Sequence, residues 1–281
     1  MTQLVQIRQR IKAIETTKKM THAMRLIAMS NHTNLRSKES SLKSYQESLS
    51  NLFALIKHGA PDWTPKFEHP DGKKKTLLIL IGSQKGLCGT FNTMLFRYFS
   101  NHYETNGKEL YDFIMVGRKA LEYAEKKDIT AVESLEDLTV RSLGSMTQEL
   151  TDYLYNNLSK YTKIIVFRNI SQSFFNQVPE KTTIFPTEVT SSDEQQDLSN
   201  YVWEEPIETV LQHLCLQNIQ ASIQLCLFQS LYAEQAARFQ SMDSATRNAS
   251  DLLEATQRQY NKLRQAKITK ELSELNASFS K

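Results

Sequence analysis

The chain has 281 residues, 40% of them apolar, which is enough for a substantial core in one large domain or two. Its 34 basic and 31 acidic residues leave a net charge of +3, which excludes the global basic signature of a nucleic-acid or membrane-surface binder. Only 8 glycines and 6 prolines favour long helices over a loop-rich all-β fold.

Met1–Gln9 carries neither the apolar core nor the cleavage site of a secretory signal. From there the apolar residues keep a helical rhythm: Leu4, Ile7, Ile11 and Ile14, then Met20, Met24 and Ile27. A polar patch around Thr33 and Asn34 weakens the pattern, which resumes through Leu35, Leu42, Tyr45, Leu49, Leu52 and Ile56. Gly59-Ala60-Pro61 is a stop signal. This predicts about 80 Å of helix within residues 1–60. Residues 1–40 are rich in Arg and Lys, with only Glu15 and Glu39 opposing them. Such a stripe is either a solvated face or a surface for an acidic protein partner. It lacks the aromatic interleaving that nucleic-acid stacking requires.

A polar linker ending in Lys73-Lys74-Lys75 precedes a change of texture. Thr76–Gly82 is a continuous apolar run of the kind a buried parallel strand shows. Helical spacing at Asn92–Tyr103, a strand at Asp112–Gly117 and a helix at Arg118–Lys126 follow. A short strand is predicted at Ile129–Val132, a helix at Ser145–Leu158, a strand at Lys163–Asn169 and an edge strand at Val178–Pro186. The alternation predicts a small α/β domain over residues 76–186. A polar, acidic linker then leads into the last segment.

Residues 204–281 form a second long helix. Ile207, Leu211, Leu214, Asn218, Ala221, Leu225, Phe228, Tyr232, Gln235, Phe239, Met242, Thr246, Ala249, Leu253, Thr256, Tyr260 and Leu263 alternate steps of four and three without a slip. That is a heptad seam, roughly 100 Å long if helical throughout. Such a seam needs a partner, and the first helix is the natural one. The fold class expected is therefore mixed: a long antiparallel coiled coil of the N- and C-terminal helices with an inserted small Rossmann-like α/β domain.

Candidate chemistry is sparse. Gly82-Ser-Gln-Lys-Gly-Leu-Cys-Gly89 follows the first strand, where phosphate loops and nucleophile turns occur, yet it lacks Gly-Lys-Ser/Thr and Gly-x-Gly-x-x-Gly. It is a structural turn, or a ligand loop using Cys88. His22 and His32 lack metal spacing and are solvated or interface positions. Cys88, Cys215 and Cys226 are expected to be free thiols in a reducing compartment. The longest apolar run, Leu77–Ile81, is far too short to span a bilayer. Small residues crowd Ala233–Ser250, and Arg238 among them is either a specific polar contact or a surface arginine.

Several motifs in order resemble the gamma subunit of F-type ATP synthase, the central rotor shaft. Thr16-Thr17-Lys18-Lys19-Met20-Thr21-His22-Ala23-Met24 is similar to that family's first-helix motif. Lys85-Gly86-Leu87-Cys88-Gly89 with Asn92 is similar to its loop motif. Ser230–Arg238 with Met242, Ala245-Thr246 and Asn248, then Tyr260-Asn261-Lys262, Arg264-Gln265-Ala266 and Ile268–Glu274, are similar to its C-terminal motifs. The sequence departs from the pattern at Ala28-Met29-Ser30-Asn31, where a lysine is usual, and at Ser278-Phe279 near the terminus.

The resemblance implies a non-catalytic subunit with no nucleotide, cofactor or metal of its own. ATP, ADP and Mg would belong to the alpha and beta subunits of a hexameric ring. It implies ring contacts through Arg8, Lys18, Lys19, Met24, Arg238, Gln265, Thr269 and Glu271. It also implies contacts of Tyr201, Trp203 and Glu204 on the side of the epsilon subunit and the membrane c-ring. The location implied is peripheral, on the cytoplasmic face of a bacterial inner membrane or the matrix side of a mitochondrial one. Two alternatives to a rotor are a specialised gamma-like paralogue and a coiled-coil tether without rotary function. An α/β enzyme using Cys88 is a third class of reading.

Overall fold

The computed structural model describes residues 2–60, 62–65, 75–106, 111–187 and 203–279. Among these residues the α-helices and strands follow in order, with a 3-10 turn at Leu158–Lys160 before β4: α1 (Thr2–Gly59), β1 (Lys75–Ile81), α2 (Phe91–Asn106), β2 (Tyr111–Val116), α3 (Arg118–Lys126), β3 (Glu133–Leu135), α4 (Leu143–Asn157), β4 (Tyr161–Ser173), β5 (Asn176–Phe185) and α5 (Ile207–Phe279). By compactness the chain divides into one unit of residues 1–29 with 238–281 and another of 30–237. This cut differs from the division by sequence texture, because half of each long helix packs with the sheet.

In the larger unit the strands form one sheet in the order β3-β2-β1-β4-β5, all parallel except the β5 edge. Alternation along the strands sorts side chains to two faces. Leu77, Ile79 and Ile81 join Ile114, Val116, Ile164 and Val166 beneath α4 and α5, where Leu211, Ile219, Ile223 and Leu227 cover them. Leu78 and Leu80 join Phe113, Met115 and Phe167 on the other face, beneath Leu95, Phe99 and Tyr103 of α2 and Ala120 and Ala124 of α3. Burial on both faces explains why β1 is a continuous apolar run. Pro179, which has no N–H to give, lies on the β5 edge.

Two strand expectations are corrected. The short strand pairs at 133–135, not 129–132, because Ile129 still serves α3: its N–H caps Ala124 at 2.9 Å. The hairpin of β4 and β5 reaches further than its apolar residues, with pairing continued to Ser173 and Asn176 by polar positions.

α1 and α5 run antiparallel. Within the larger unit Asn31 donates to Gln235, Gln46 to Ser222 and Ser50 to Asn218. Within the smaller unit Thr246 donates to Thr21 at 2.9 Å, and Arg25 meets Asp243 at 2.6 Å. The polar patch expected to weaken α1 does not interrupt it. Its side chains are occupied: His32 stacks on Tyr232 with ring centroids 4.3 Å apart, and Leu35 packs with Phe228 and Leu231.

Up to Ala237, α5 is buried around much of its circumference. From Met242 its burial narrows to the heptad positions Met242, Thr246, Ala249, Leu253, Thr256, Tyr260 and Leu263, as the seam predicted. The matching seam of α1 is Leu4, Ile7, Ile11, Ile14, Lys18, Thr21, Arg25 and Ala28. Met20, Met24 and Ile27, expected to continue the inward stripe, face outward instead; Ile27 is 61% exposed. Keeping the alternation of three and four fixes which residues face α5, and at these turns they are polar or small.

Candidate functional site

In doubly wound sheets ligands bind where strand order reverses, outside the carboxyl ends of the strands. Here that point lies between β1 and β4, and the chain fills it. The Ser230 hydroxyl of α5 reaches the last β1 carbonyl, Ile81 O, at 3.4 Å. Cys88, Phe91, Ala233 and Ala237 pack together above the edge, and Asn169 Nδ2 donates to Phe91 O at 2.9 Å.

The Gly82–Gly89 loop is held by hydrogen bonds within itself and to neighbouring elements. Ser83 N–H donates to Asn92 Oδ1 at 3.0 Å, Asn92 Nδ2 donates to Ser83 Oγ at 2.7 Å, and Ser83 Oγ donates to Lys85 O at 2.9 Å. Asn92 Nδ2 also lies 3.3 Å from Cys88 Sγ. Gln84 Oε1 accepts from Arg118 N–H and Asp137 N–H, tying the loop to the start of α3. These contacts make the segment a turn that holds β1, α2 and α3 together.

The other thiols are also inert. Burial pushes Cys215 up to about 11 and raises Cys226 as well, so neither is a ready thiolate. Among the described residues no cluster of His, Cys, Asp or Glu is placed to hold a metal ion.

The residues named by resemblance fall elsewhere. On α1, Arg8 and Lys19 are exposed, Lys18 is half-buried in the seam, and Met24 points outward at 37% exposure. On α5, Arg238 is half-buried, whereas Gln265, Thr269 and Glu271 are exposed. Thr269 Oγ1 donates to Gln265 O at 3.0 Å, and Lys267 pairs with Glu271 at 3.4 Å. Trp203 packs against the core beneath α5, and Glu204 beside it is exposed. Tyr201 lies outside the described residues.

Outward-facing apolar side chains join these charged ones. Met20, Met24 and Ile27 follow one another along α1, and Ile268, Leu272 and Leu275 along the end of α5. Periodicity alone put the first group inward, because an apolar stripe was assumed to face the core, although the resemblance named Met24 as a ring contact. The slip from Ile14 to Met20, a step of six, was the available signal.

A family model described as ATP synthase matches residues 3–280. The chain belongs to the ATP synthase gamma chain family. A gamma chain from Clostridium perfringens is 30% identical, over 97% of this chain and 95% of its own length. One from Rickettsia canadensis is 29% identical over 99% and 98%. Among solved structures, a Euglena gracilis mitochondrial ATP synthase chain covers 99% of this chain and 93% of its own length, at 14% identity and a TM-score of 0.67. A Tetrahymena thermophila chain from a central stalk and c-ring structure gives 0.59 at 17% identity, covering 80% of this chain and 99% of its own. At such identities these two likenesses are of fold. Matches from end to end to gamma chains of equal length do not favour the tether or the Cys88 enzyme. No helix among the described residues is long and apolar enough to cross a membrane.

Proposed function

We propose that this gamma-family chain is the rotor that couples ion flow through a membrane sector to ATP synthesis and hydrolysis in an alpha–beta ring. The observation that carries the reading is the outward apolar and basic surface of the two long helices. Met20, Met24 and Ile27, with Arg8 and Lys19, are presented to solvent on α1, and Ile268, Leu272 and Leu275 on α5. They lie off the seam between the two helices, and a surrounding partner would bury them.

In this reading the chain performs no chemistry. ATP, ADP and Mg are bound by the ring, and the chain binds no nucleotide or cofactor itself. Arg8, Lys18, Lys19, Met24, Arg238, Gln265, Thr269 and Glu271 meet the ring. Tyr201, Trp203 and Glu204 face the epsilon subunit and c-ring, and the chain is held at the membrane surface through them. A single chain without three-fold symmetry cannot meet equivalent ring sites identically, so each orientation biases them differently. Linkage makes the bias reciprocal: nucleotide state shifts orientation as orientation shifts nucleotide affinity.

Co-expression with alpha and beta subunits tests this. The expected result is a purified complex holding one copy of this chain per three beta subunits, with sustained hydrolysis that disappears when the chain is omitted. A ring that hydrolyses ATP equally well without it would overturn the proposal.

A further inference from the structure

A rotor has to pass turning force between its sheet and its helices, and directional contacts between them hold an angle more specifically than apolar ones do. The face that Leu77, Ile79 and Val166 present to Leu211, Ile219 and Leu227 is apolar. Apolar burial is close-packed but non-directional, so by itself it specifies an angle less sharply. Hydrogen bonds and ion pairs weaken steeply with misalignment, so they hold an angle.

Directional contacts concentrate on the β4–β5 hairpin. Arg168 of β4 is 5% exposed, which is rare for a guanidinium, and side chains of α5 and β5 accept from it. Its Nε and Nη2 donate to Gln229 Oε1 of α5 at 3.0 and 2.8 Å. Nη1 donates to Thr182 Oγ1 at 2.7 Å and Nη2 to Glu180 Oε1 at 3.1 Å, both on β5. One side chain thus fixes both strands of the hairpin to α5.

At the hairpin turn Phe174 meets His32 of α1 edge-on, with ring centroids 4.9 Å apart. The other face of His32 stacks on Tyr232. Gln229 and Tyr232 are three residues apart on α5 and so share a face. The hairpin therefore grips both helices at one level, through polar contacts at its middle and an aromatic sandwich at its tip.

We propose that the β4–β5 hairpin is the joint through which turning force passes between the sheet and the α1–α5 pair, with Arg168, Gln229, Phe174 and His32 as its positioning residues. This rests on the rotor reading above. The test uses the complete complex in sealed vesicles, comparing ATP-driven ion uptake with ATP hydrolysis in the same sample. The ratio is read on vesicles washed free of unattached ring, so it does not depend on how much complex assembles, and a merely structural role would leave it unmoved.

Arg168→Met and Gln229→Leu should each lower uptake per ATP hydrolysed severalfold, and the double variant should be no worse than the worse single. Gln229→Glu, which keeps an acceptor for the guanidinium, should restore it. Phe174→Ser should also lower the ratio. Phe175→Ser, at a neighbouring side chain that is 75% exposed, should not. If the Arg168 variants fail to assemble, Phe174→Ser decides, since that residue is only half-buried in the turn. Wild-type uptake with unchanged ratios in the variants would overturn the joint alone. Wild-type complex that hydrolyses ATP without uptake would overturn the rotor reading and the joint with it.

Discussion

His32 shows how much a single residue's meaning depends on what packs around it. In sequence it is one of six histidines, solvated or at an interface, and its ring lies between Tyr232 and Phe174 with Nε2 unpartnered. Burial first, and then the Arg36 charge, lower its pKa below the ordinary 6.5. A folded-state value below the unfolded one means the contribution to stability is complete above 6.5 and is lost as pH falls toward the lowered value. The thermal midpoint should therefore drop on mild acidification, and His32→Phe should flatten that part of the profile. An unchanged slope in the variant would contradict the assignment. Gly117 is a second case. Its φ is +83°, and an added Cβ would sit 2.5 Å from Gly82 O, where β1 and β2 end side by side. Gly117→Ala should cost at least about 2 kcal/mol in denaturant unfolding. Sequence shows the glycine but not the crossing backbone that requires it. Cys88 was ambiguous for the same reason, because the alanines that cover it come from α5, far along the chain.

At the scale of elements, periodicity was the dependable signal and apolarity alone was not. The α5 seam was legible because steps of three and four ran unbroken through Leu263, and its burial beyond Met242 follows them. The α1 seam was partly hidden, since Lys18, Thr21, Arg25 and Ala28 occupy it while Met20, Met24 and Ile27 face out. An inward arginine is tolerable because Asp243 lies 2.6 Å away, with Arg247 on its second oxygen at 2.6 Å. The Arg25 hydrogen bond, more than the nearby charges, holds the Asp243 carboxyl below its usual range. Arg25→Glu should lower the thermal midpoint of the chain, and adding Asp243→Lys should regain part of the loss. A double variant no more stable than Arg25→Glu would show that the pair does not set helix register. The main strands were legible from apolar runs, whereas β3 was misplaced. A three-residue strand carries too few residues to show an alternation, and its position is decided by pairing with Ile114–Val116.

For the whole molecule, the sequence motifs and the fold lead to one family, and the family match spans residues 3–280. What composition could not supply is what the helices are for. Two amphipathic helices satisfy each other along one seam, and a second, outward apolar face has meaning only in a larger assembly. The switch-point crevice, where an α/β enzyme would bind its ligand, is packed with Ala233, Ala237, Cys88 and Phe91. Rotation is the central claim. All three native cysteines are buried, so Lys126→Cys on the exposed surface of α3 provides a single accessible thiol for a bead. With the ring fixed to a surface and ATP supplied, the bead should rotate steadily in one direction, in steps of one third of a turn. A bead that only fluctuates about one angle while the same complex hydrolyses ATP would contradict it.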